Sequence, residues 1–169
     1  AADDRAWMAG VLDLLAEVNA RTEVRVLRLQ GEGRHFCSGF NIGRIDATEG
    51  AAGGVRFEQL ADAIERARPV TLAVLQGGAY GGAVDLAVAC DFRLGTPASE
   101  MMVPATRLGL HFYRGGLERM VTRLGLVTAK RVLLAAEKLD APTLLQLGLL
   151  DRIVAPDTLQ AEADARCHH

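Results

Sequence analysis

The chain has 169 residues, of which 50% are hydrophobic and 24% charged, a composition typical of one globular domain with an ample core. A formal net charge of −2 and an aromatic content of 5% give nucleic acids and anionic membranes neither an electrostatic nor a stacking surface. No apolar run reaches the length of a bilayer span, because Asp85, Asp91 and Arg93 interrupt the best candidate. The start, "AADDRAWMAG", lacks a signal-peptide pattern. We therefore expect no nucleic-acid or membrane partner.

The cysteines and the terminal histidines predict neither a disulfide framework nor a metal site. Cys37, Cys90 and Cys167 are odd in number and have neither disulfide-framework nor zinc-site spacing, so we expect a reducing, cytoplasmic location and no metal. His168 and His169 end the chain in "RCHH", a pattern typical of a tag remnant, and they support no functional prediction.

The first half of the chain predicts two helices and a strand around a long loop. "DRAWMAGVLDLLAEV" has helical apolar spacing, and "VRVLRLQG" alternates as a strand does and ends at glycine. The stretch "GEGRHFCSGFNIGRIDATEGAAGG" is interpreted as a glycine-rich loop. "VRFEQLADAIERA" then predicts a helix that is closed by Pro69.

The second half alternates strands with helices. A strand over 70–75 precedes the buried helix "GGAVDLAVAC", the short strand "DFRLGT" and the irregular stretch "MMVPATRLGLHFYRGG". Three helices should end at or near Gly125, Lys138 and Gly148, the last one capped by Asp140. A strand, "LLDRIV", and a helix, "DTLQAEADAR", complete the pattern. Such alternation predicts an α/β domain with a mostly parallel sheet.

Two glycine-rich loops that follow strands are the candidate chemical site. In "AVLQGGAYGGAVDLA" and "FCSGFNIG", glycine lets backbone N–H groups approach a ligand without side-chain obstruction. If each loop directs one N–H group to the same point, the pair forms an oxyanion hole for a carbonyl whose oxygen becomes negative. The alternative is that both loops are only tight turns in which backbones pack closely.

Three segments in a fixed order resemble the crotonase (enoyl-CoA hydratase/isomerase) superfamily. They are "GEGRHFCSGFNI", then "GGAYGGAVDLAVACDFRLGTPAS" with "MMVPATRLGLHFYRGG", and the tail "GLVTAKRVLLAAEKLDAPTLLQLGLLDRIV". The resemblance runs from about Trp7 to Val154 with few gaps. It implies a crotonase-like α/β fold, a spiral of ββα units in which helices flank the sheet.

The resemblance also implies a ligand and its site. Members of this family bind an acyl-CoA thioester and hold its carbonyl oxygen with two backbone N–H groups, which fall here on Phe40 and Gly82. Asn41 and Ile42 would line the path of the CoA and acyl groups. A Cβ at position 82 would crowd the thioester oxygen. No cofactor is implied beyond the coenzyme A that the substrate carries.

The sequence departs from the hydratase pattern at the two acid positions. The first glutamate of hydratases corresponds to Asp85, and the second corresponds to Ala105, whose methyl group cannot transfer protons. The family's small residues near a second glycine pair are replaced by Phe112, Tyr113 and Arg114. Because one carboxylate suits proton shuttling better than hydration, the resemblance favours isomerase-like chemistry. Decarboxylation, hydrolysis and a non-catalytic acyl-CoA-binding or assembly role remain open.

Each candidate side chain also has a structural interpretation. Asp85 is either the proton carrier or an aspartate that complements the helix dipole or forms an ion pair at a subunit contact. His111, Tyr113 and Arg114 could orient a leaving carboxylate, but a packing tyrosine and a surface histidine are the simpler interpretation. Cys37 is interpreted as a small apolar filler, and the arginines of "LERMVTRLG" as a solvated helix face.

The resemblance implies an assembly and a chain organisation as well. We expect a homotrimer or a hexamer built as a dimer of trimers. Residues 1–169 should form a single crotonase-like domain, without the N-terminal strands and most of the C-terminal helices of full-length relatives.

Overall fold

The computed structural model of the protein describes residues 4–39 and 49–167. Its main sheet has four parallel strands in the order β1-β2-β4-β7. A smaller sheet has the order β3-β5-β6, in which β3 and β5 are parallel and β6 is antiparallel to β5. The strands are β1 Val26–Gln30, β2 Val70–Leu75, β3 Ala79–Tyr80, β4 Phe92–Gly95, β5 Glu100–Met102, β6 Leu139–Asp140 and β7 Arg152–Ile153.

Six α-helices surround these sheets in the described ranges. The helix α3 packs between α2 and α4, and each of its residues from 83 to 89 is buried. The same core takes the apolar faces of α1 and α5. No helix of the described ranges is long and apolar enough to cross a membrane. The helices are α1 Asp4–Ala20, α2 Glu49–Glu65, α3 Gly82–Ala89, α4 Arg114–Leu133, α5 Ala141–Gln146 and α6 Leu159–Cys167.

Before α4, the predicted order of strands and helices is confirmed, except that the two-residue strand β3 was not predicted and two segments need correction. The loop interpretation extended too far, because α2 begins at Glu49 within the glycine- and alanine-rich stretch. The segment interpreted as irregular contains β5 and a 3₁₀ helix over Ala105–Leu108. Three residues are too few for the alternation that reveals a strand in a sequence, so β5 depends on pairing with β3 and β6.

The helices after residue 113 agree with the prediction in part, since α5 ends at Gln146, near Gly148, whereas α4 ends at Leu133, before Lys138. The first two predicted helices form the single element α4, but Gly125 has φ 79° and ψ 159° and interrupts its helical geometry. A positive φ is costly for a residue with a Cβ, which explains why glycine occupies this kink. Asp140 caps α5 as predicted, since its carboxylate accepts a hydrogen bond from the Thr143 N–H at 3.1 Å.

Candidate active site

The two glycine-rich loops lie side by side. Cys37 forms an isolated parallel bridge with Ala79. The Phe36 N–H donates to the Gly78 carbonyl at 3.0 Å, and the Tyr80 N–H donates to the Cys37 carbonyl at 3.1 Å. Backbone hydrogen bonds therefore fix the register of the loop after β1 against the turn that precedes α3.

Glycine makes this close approach of two backbones possible. A Cβ on Gly39 would overlap the carbonyl oxygen of Tyr80, and its φ of +79° already disfavours any other residue. A Cβ on Gly77 would likewise overlap the Arg34 carbonyl oxygen. Steric contact therefore explains why both positions are glycine. Gly39 lies directly against the chain that leads into α3.

The N-terminus of α3 faces this junction. Gly81 is the N-cap residue, with φ 60° and no capping side chain, and its N–H donates to the Met102 carbonyl of β5 at 2.9 Å. Gly82 is the first residue of the helix, where N–H groups lack intrahelical partners and the helix dipole favours negative charge. The ring of Phe57 packs against Gly82, since a Cβ there would lie 2.6 Å from the ring carbon Cδ1.

The predicted partner of Gly82 is not among the residues that the structure describes. Phe40, Asn41 and Ile42 lie outside the described residues. Phe40 is nevertheless bonded to Gly39, and a Cβ built on Gly39 would lie 3.8 Å from the Gly81 Cα. The described chain therefore ends, on this side, next to the turn that carries Gly82.

Asp85 is a fully buried carboxylate in the first turn of α3. Its Oδ2 accepts a hydrogen bond from Arg119 Nη1 at 2.6 Å and another from the Tyr113 hydroxyl at 2.9 Å. No described residue donates a hydrogen bond to Oδ1. The carboxylate thus has one oxygen that is held by two donors and one buried oxygen that has no described partner.

Arg119 connects this carboxylate to the acidic side chains of α2. Its side chain is 1% exposed, and Nη2 contacts Asp62 Oδ1 at 2.5 Å and Glu65 Oε2 at 3.2 Å. One buried guanidinium is therefore shared among three carboxylates. We call Asp62, Glu65, Asp85, Tyr113 and Arg119 the Arg119 network.

Burial and charge act in opposite directions on the titration of this network. Burial raises the pKa of Asp85, while the Arg119 guanidinium and the Tyr113 hydroxyl lower it and Glu65 raises it, with a net rise. Burial and the neighbouring Asp85 raise the pKa of Tyr113, which keeps its hydroxyl a donor. Burial lowers the pKa of Arg119, but the neighbouring Asp85 and Glu65 raise it by more than burial lowers it. The guanidinium therefore stays charged.

The other predicted side chains are distributed around this arrangement. Ala105 begins the 3₁₀ helix and is half-buried. Tyr113 reaches Asp85, whereas the exposed Arg114 pairs with Glu118 at 2.7 Å. His111 is exposed, and its Nδ1 lies 3.1 Å from the carbonyl oxygen of the next residue. Of the three side chains considered at this position, only Tyr113 contacts the buried carboxylate.

Two interpretations of α4 and α3 need correction. The arginines of "LERMVTRLG" were expected on a solvated face, but Arg119 is buried, and Arg123 Nη1 donates to carbonyl oxygens at the C-terminus of α3. The ion pair of Asp85 is internal to the chain. A buried aspartate at position 85 requires a cation, so the sequence could have indicated that one arginine of this helix faces inward. The helical pattern alone could not show which arginine turns inward.

Sequence and structure comparisons agree on the relatives of this chain. The family described as "Enoyl-CoA hydratase/isomerase" matches residues 4–169. The peroxisomal fatty acid beta-oxidation multifunctional protein MFP2 of Arabidopsis thaliana is 30% identical over 153 residues, which cover 87% of this chain and 21% of that protein. Ethylmalonyl-CoA decarboxylase of Rattus norvegicus is 31% identical over 155 residues, 89% of this chain and 52% of that protein.

A solved enoyl-CoA hydratase from Bacillus anthracis superposes with a TM-score of 0.90 at 22% identity, covering 96% of this chain and 65% of that one. This likeness confirms the expected crotonase-like fold, in which helices flank a parallel sheet. The chain spans between about a fifth and two thirds of the length of these proteins. Because the family match extends over nearly the whole sequence, the chain belongs to the enoyl-CoA hydratase/isomerase family of the crotonase superfamily.

Proposed function

We propose that the protein binds an acyl-CoA thioester and stabilises the enolate formed from it. The N–H groups of Phe40 and Gly82 would donate to the thioester oxygen, where negative charge develops. The observation that carries this proposal is the packing of Gly39 against the Tyr80 carbonyl, which brings the chain leading to Phe40 beside the N-terminus of α3. Coenzyme A enters as part of the substrate, and the proposed chemistry requires no other cofactor.

The favoured reaction is a one-base isomerisation of an enoyl-CoA. Asp85 Oδ1 takes a proton from the α-carbon, which lies between the thioester carbonyl and the existing double bond, and the electrons of that C–H bond move toward the thioester oxygen. The same oxygen then returns the proton at the other end of the dienolate, so the double bond migrates and no atom is gained or lost. Three features support this role: Asp85 is a carboxylate, its Oδ1 has no described partner, and Ala105 supplies no second acid.

Decarboxylation is the second candidate. Cleavage of the bond between the α-carbon and a carboxylate releases CO₂ and leaves its electrons on the enolate, so no base has to remove a proton. The engagement of Asp85 Oδ2 by two donors and the alanine at position 105 favour this reaction. The relative from Rattus norvegicus named ethylmalonyl-CoA decarboxylase supports it as well.

A panel of thioesters separates the two reactions. The protein and its Asp85→Asn variant are incubated with enoyl-, malonyl- and β-ketoacyl-CoAs, and products are identified by mass and by NMR. Double-bond migration that Asp85→Asn loses, by about 10²-fold or more, supports the isomerisation. CO₂ release that survives the substitution supports decarboxylation. If no thioester binds at all, the proposal is wrong.

The matched control is Glu118→Gln, which removes an exposed carboxylate of α4 that pairs with Arg114. This variant should turn over every accepted substrate at the wild-type rate. Binding of thioesters without any turnover would instead indicate the non-catalytic acyl-CoA-binding role.

A further inference from the structure

The Arg119 network carries an inference that rests on the proposed role of Asp85. We propose that Arg119 is a positioning residue that holds Asp85 by Oδ2 so that Oδ1 is the reacting oxygen, and that Glu65 and Asp62 limit how strongly Arg119 neutralises this carboxylate. The network would thereby control both the direction and the basicity of Asp85. Neither Arg119 nor the two α2 carboxylates touches the substrate in this scheme.

The geometry around Oδ2 carries the positioning part. Arg119 Nη1 and the Tyr113 hydroxyl donate to the same oxygen, from 2.6 and 2.9 Å, so rotation of the carboxylate would break both bonds. Charge-assisted hydrogen bonds of this length are among the strong ones in proteins. Because both donors hold Oδ2, we infer that Oδ1 is kept in a single orientation.

The sharing of the Arg119 charge supports the proposed role of Asp62 and Glu65. Arg119 Nη2 contacts Asp62 and Glu65, so its positive charge is divided among three carboxylates. A guanidinium paired with Asp85 alone would stabilise the anion more strongly and make it a weaker base. Asp62 and Glu65 therefore keep Asp85 basic enough to accept a proton, although Asp85 remains hydrogen-bonded to Arg119.

The charged and titratable groups around Asp85 come from three directions. Glu65 faces it from α2, Arg119 from α4, and Tyr113 from the residue before α4. Arg123 pairs with Glu65 at 3.2 Å and so modulates that side chain from the next turn of α4. Arg119 opposes the rise in the pKa of Asp85 that burial causes, whereas Glu65 adds to it.

Two substitutions should shift the titration of Asp85 in opposite directions. Arg119→Lys keeps the charge but loses the planar fork that reaches both sides, so the anion is less stabilised and its pKa rises. Glu65→Gln removes a negative charge and releases Arg119 toward Asp85, so the pKa falls. A purely structural role for the network would give lost stability in both variants without opposite shifts.

The experiment combines two readouts on the full chain. Carboxyl-carbon NMR follows the titration of Asp85 without substrate, its signal assigned as the one that Asp85→Asn removes. The pH profile of kcat/KM is measured with the best thioester found. We expect the acid side of the profile to move up in Arg119→Lys and down in Glu65→Gln. Arg119→Lys should also lower kcat by about tenfold to 10²-fold, with a smaller change in KM, because Oδ1 is misplaced.

Two controls match these variants. Arg93→Lys alters the other buried arginine of the described ranges, which contacts Asp151 and the Cys90 carbonyl. Glu118→Gln alters a carboxylate of α4 that pairs with Arg114. Both should leave the Asp85 signal where it is in the wild type. If Arg119→Lys does not fold, the variant of the exposed Glu65 still tests the charge coupling, because its substitution leaves no buried group without a partner.

Failure of this inference can be told apart from failure of the proposed function. An Asp85 titration that is identical in all variants, or that shifts the same way in Arg119→Lys and Glu65→Gln, overturns the inference. Full activity of Asp85→Asn rejects the one-base reaction, while opposite NMR shifts would still support the charge coupling through Arg119.

Discussion

At the scale of single residues, the buried pair of Asp85 and Arg119 is the most consequential contact of the candidate site. Its two members are not equivalent, since Arg119 has two further carboxylate partners and Asp85 has no second cation among the described residues. Loss of Arg119 therefore leaves a buried carboxylate without a cation, whereas loss of Asp85 leaves an arginine that still has two carboxylate partners. An uncompensated buried charge is strongly destabilising.

This asymmetry gives a prediction for stability. Arg119→Met should lower the free energy of unfolding by about 3–5 kcal/mol, because it leaves the Asp85 carboxyl group in the core without a cation. Asp85→Asn should cost less, about 1–2 kcal/mol, since Arg119 keeps Asp62 and Glu65. Urea unfolding followed by circular dichroism measures both. The control Arg114→Met, at an exposed arginine of the same helix, should change stability by less than about 1 kcal/mol.

A cost for Asp85→Asn equal to or above that of Arg119→Met would contradict this prediction. It would mean that Asp62 and Glu65 do not compensate the charge of Arg119 once Asp85 is neutral.

At the scale of elements, the site depends on two chain segments that touch through their backbones. The loop after β1 meets the turn before α3 where Gly39 abuts Tyr80, while Gly81 is tied to β5. Side-chain packing contributes little at such a contact, so its tolerance to substitution is set by sterics. A Cβ in this position displaces a loop that the proposed oxyanion hole requires.

Gly39→Ala and Gly10→Ala should therefore have opposite effects. Gly39→Ala combines a left-handed φ with overlap of a backbone carbonyl, and we expect it to destabilise by about 3 kcal/mol and weaken thioester binding. Gly10 lies exposed in α1, with nothing within 4 Å of an added Cβ. Gly10→Ala should stabilise by about 0.5–1 kcal/mol and leave binding unchanged.

Thermal unfolding and titration with a non-hydrolysable acyl-CoA analogue check this pair. Wild-type affinity in Gly39→Ala would show that the first loop does not contribute to the thioester site.

At the scale of the whole molecule, local patterns predicted most of the fold. The apolar period of α1, the β-branched run of β2 and the Asp140 cap are encoded within a few residues, and each element appears where it was expected. The two-residue strands β3 and β6, and the continuity of α4 through Gly125, depend on distant partners instead. Such pairings leave no local period in a sequence, which is why they were not predicted.

The candidate site was predictable to a similar degree. Glycine spacing and the family resemblance indicated the loop turn at Gly82 and the carboxylate at Asp85. They did not indicate Arg119, Asp62 or Glu65, because long-range ion pairs between α2 and α4 depend on which helix faces meet in the core. The charge balance of the site is thus a tertiary property.

That balance predicts an unusual pH dependence of the stability of the whole molecule. Burial raises the pKa of Asp85 in the native state, while the unfolded chain titrates near the ordinary value of about 3.9. The native state therefore binds more protons between the two values, and the free energy of unfolding contributed by Asp85 falls as the pH rises through this window. Asp85→Asn removes that loss, so its stability relative to the wild type should increase with pH above about 4.

Glu100→Gln provides a control of opposite sign. The hydrogen bond from the Tyr80 hydroxyl, together with the ion pair with Lys138, lowers the pKa of Glu100, so this side chain adds stability as the pH rises. Relative to the wild type, Glu100→Gln should therefore lose stability as the pH rises toward the ordinary glutamate pKa of about 4.3 and stay level above it, whereas Asp85→Asn gains stability above about 4. Urea unfolding of all three proteins at several pH values measures both differences. Differences of the same sign would mean that the pairing with Arg119 outweighs the burial of Asp85, which would leave it an ordinary ionised carboxylate and a poor base.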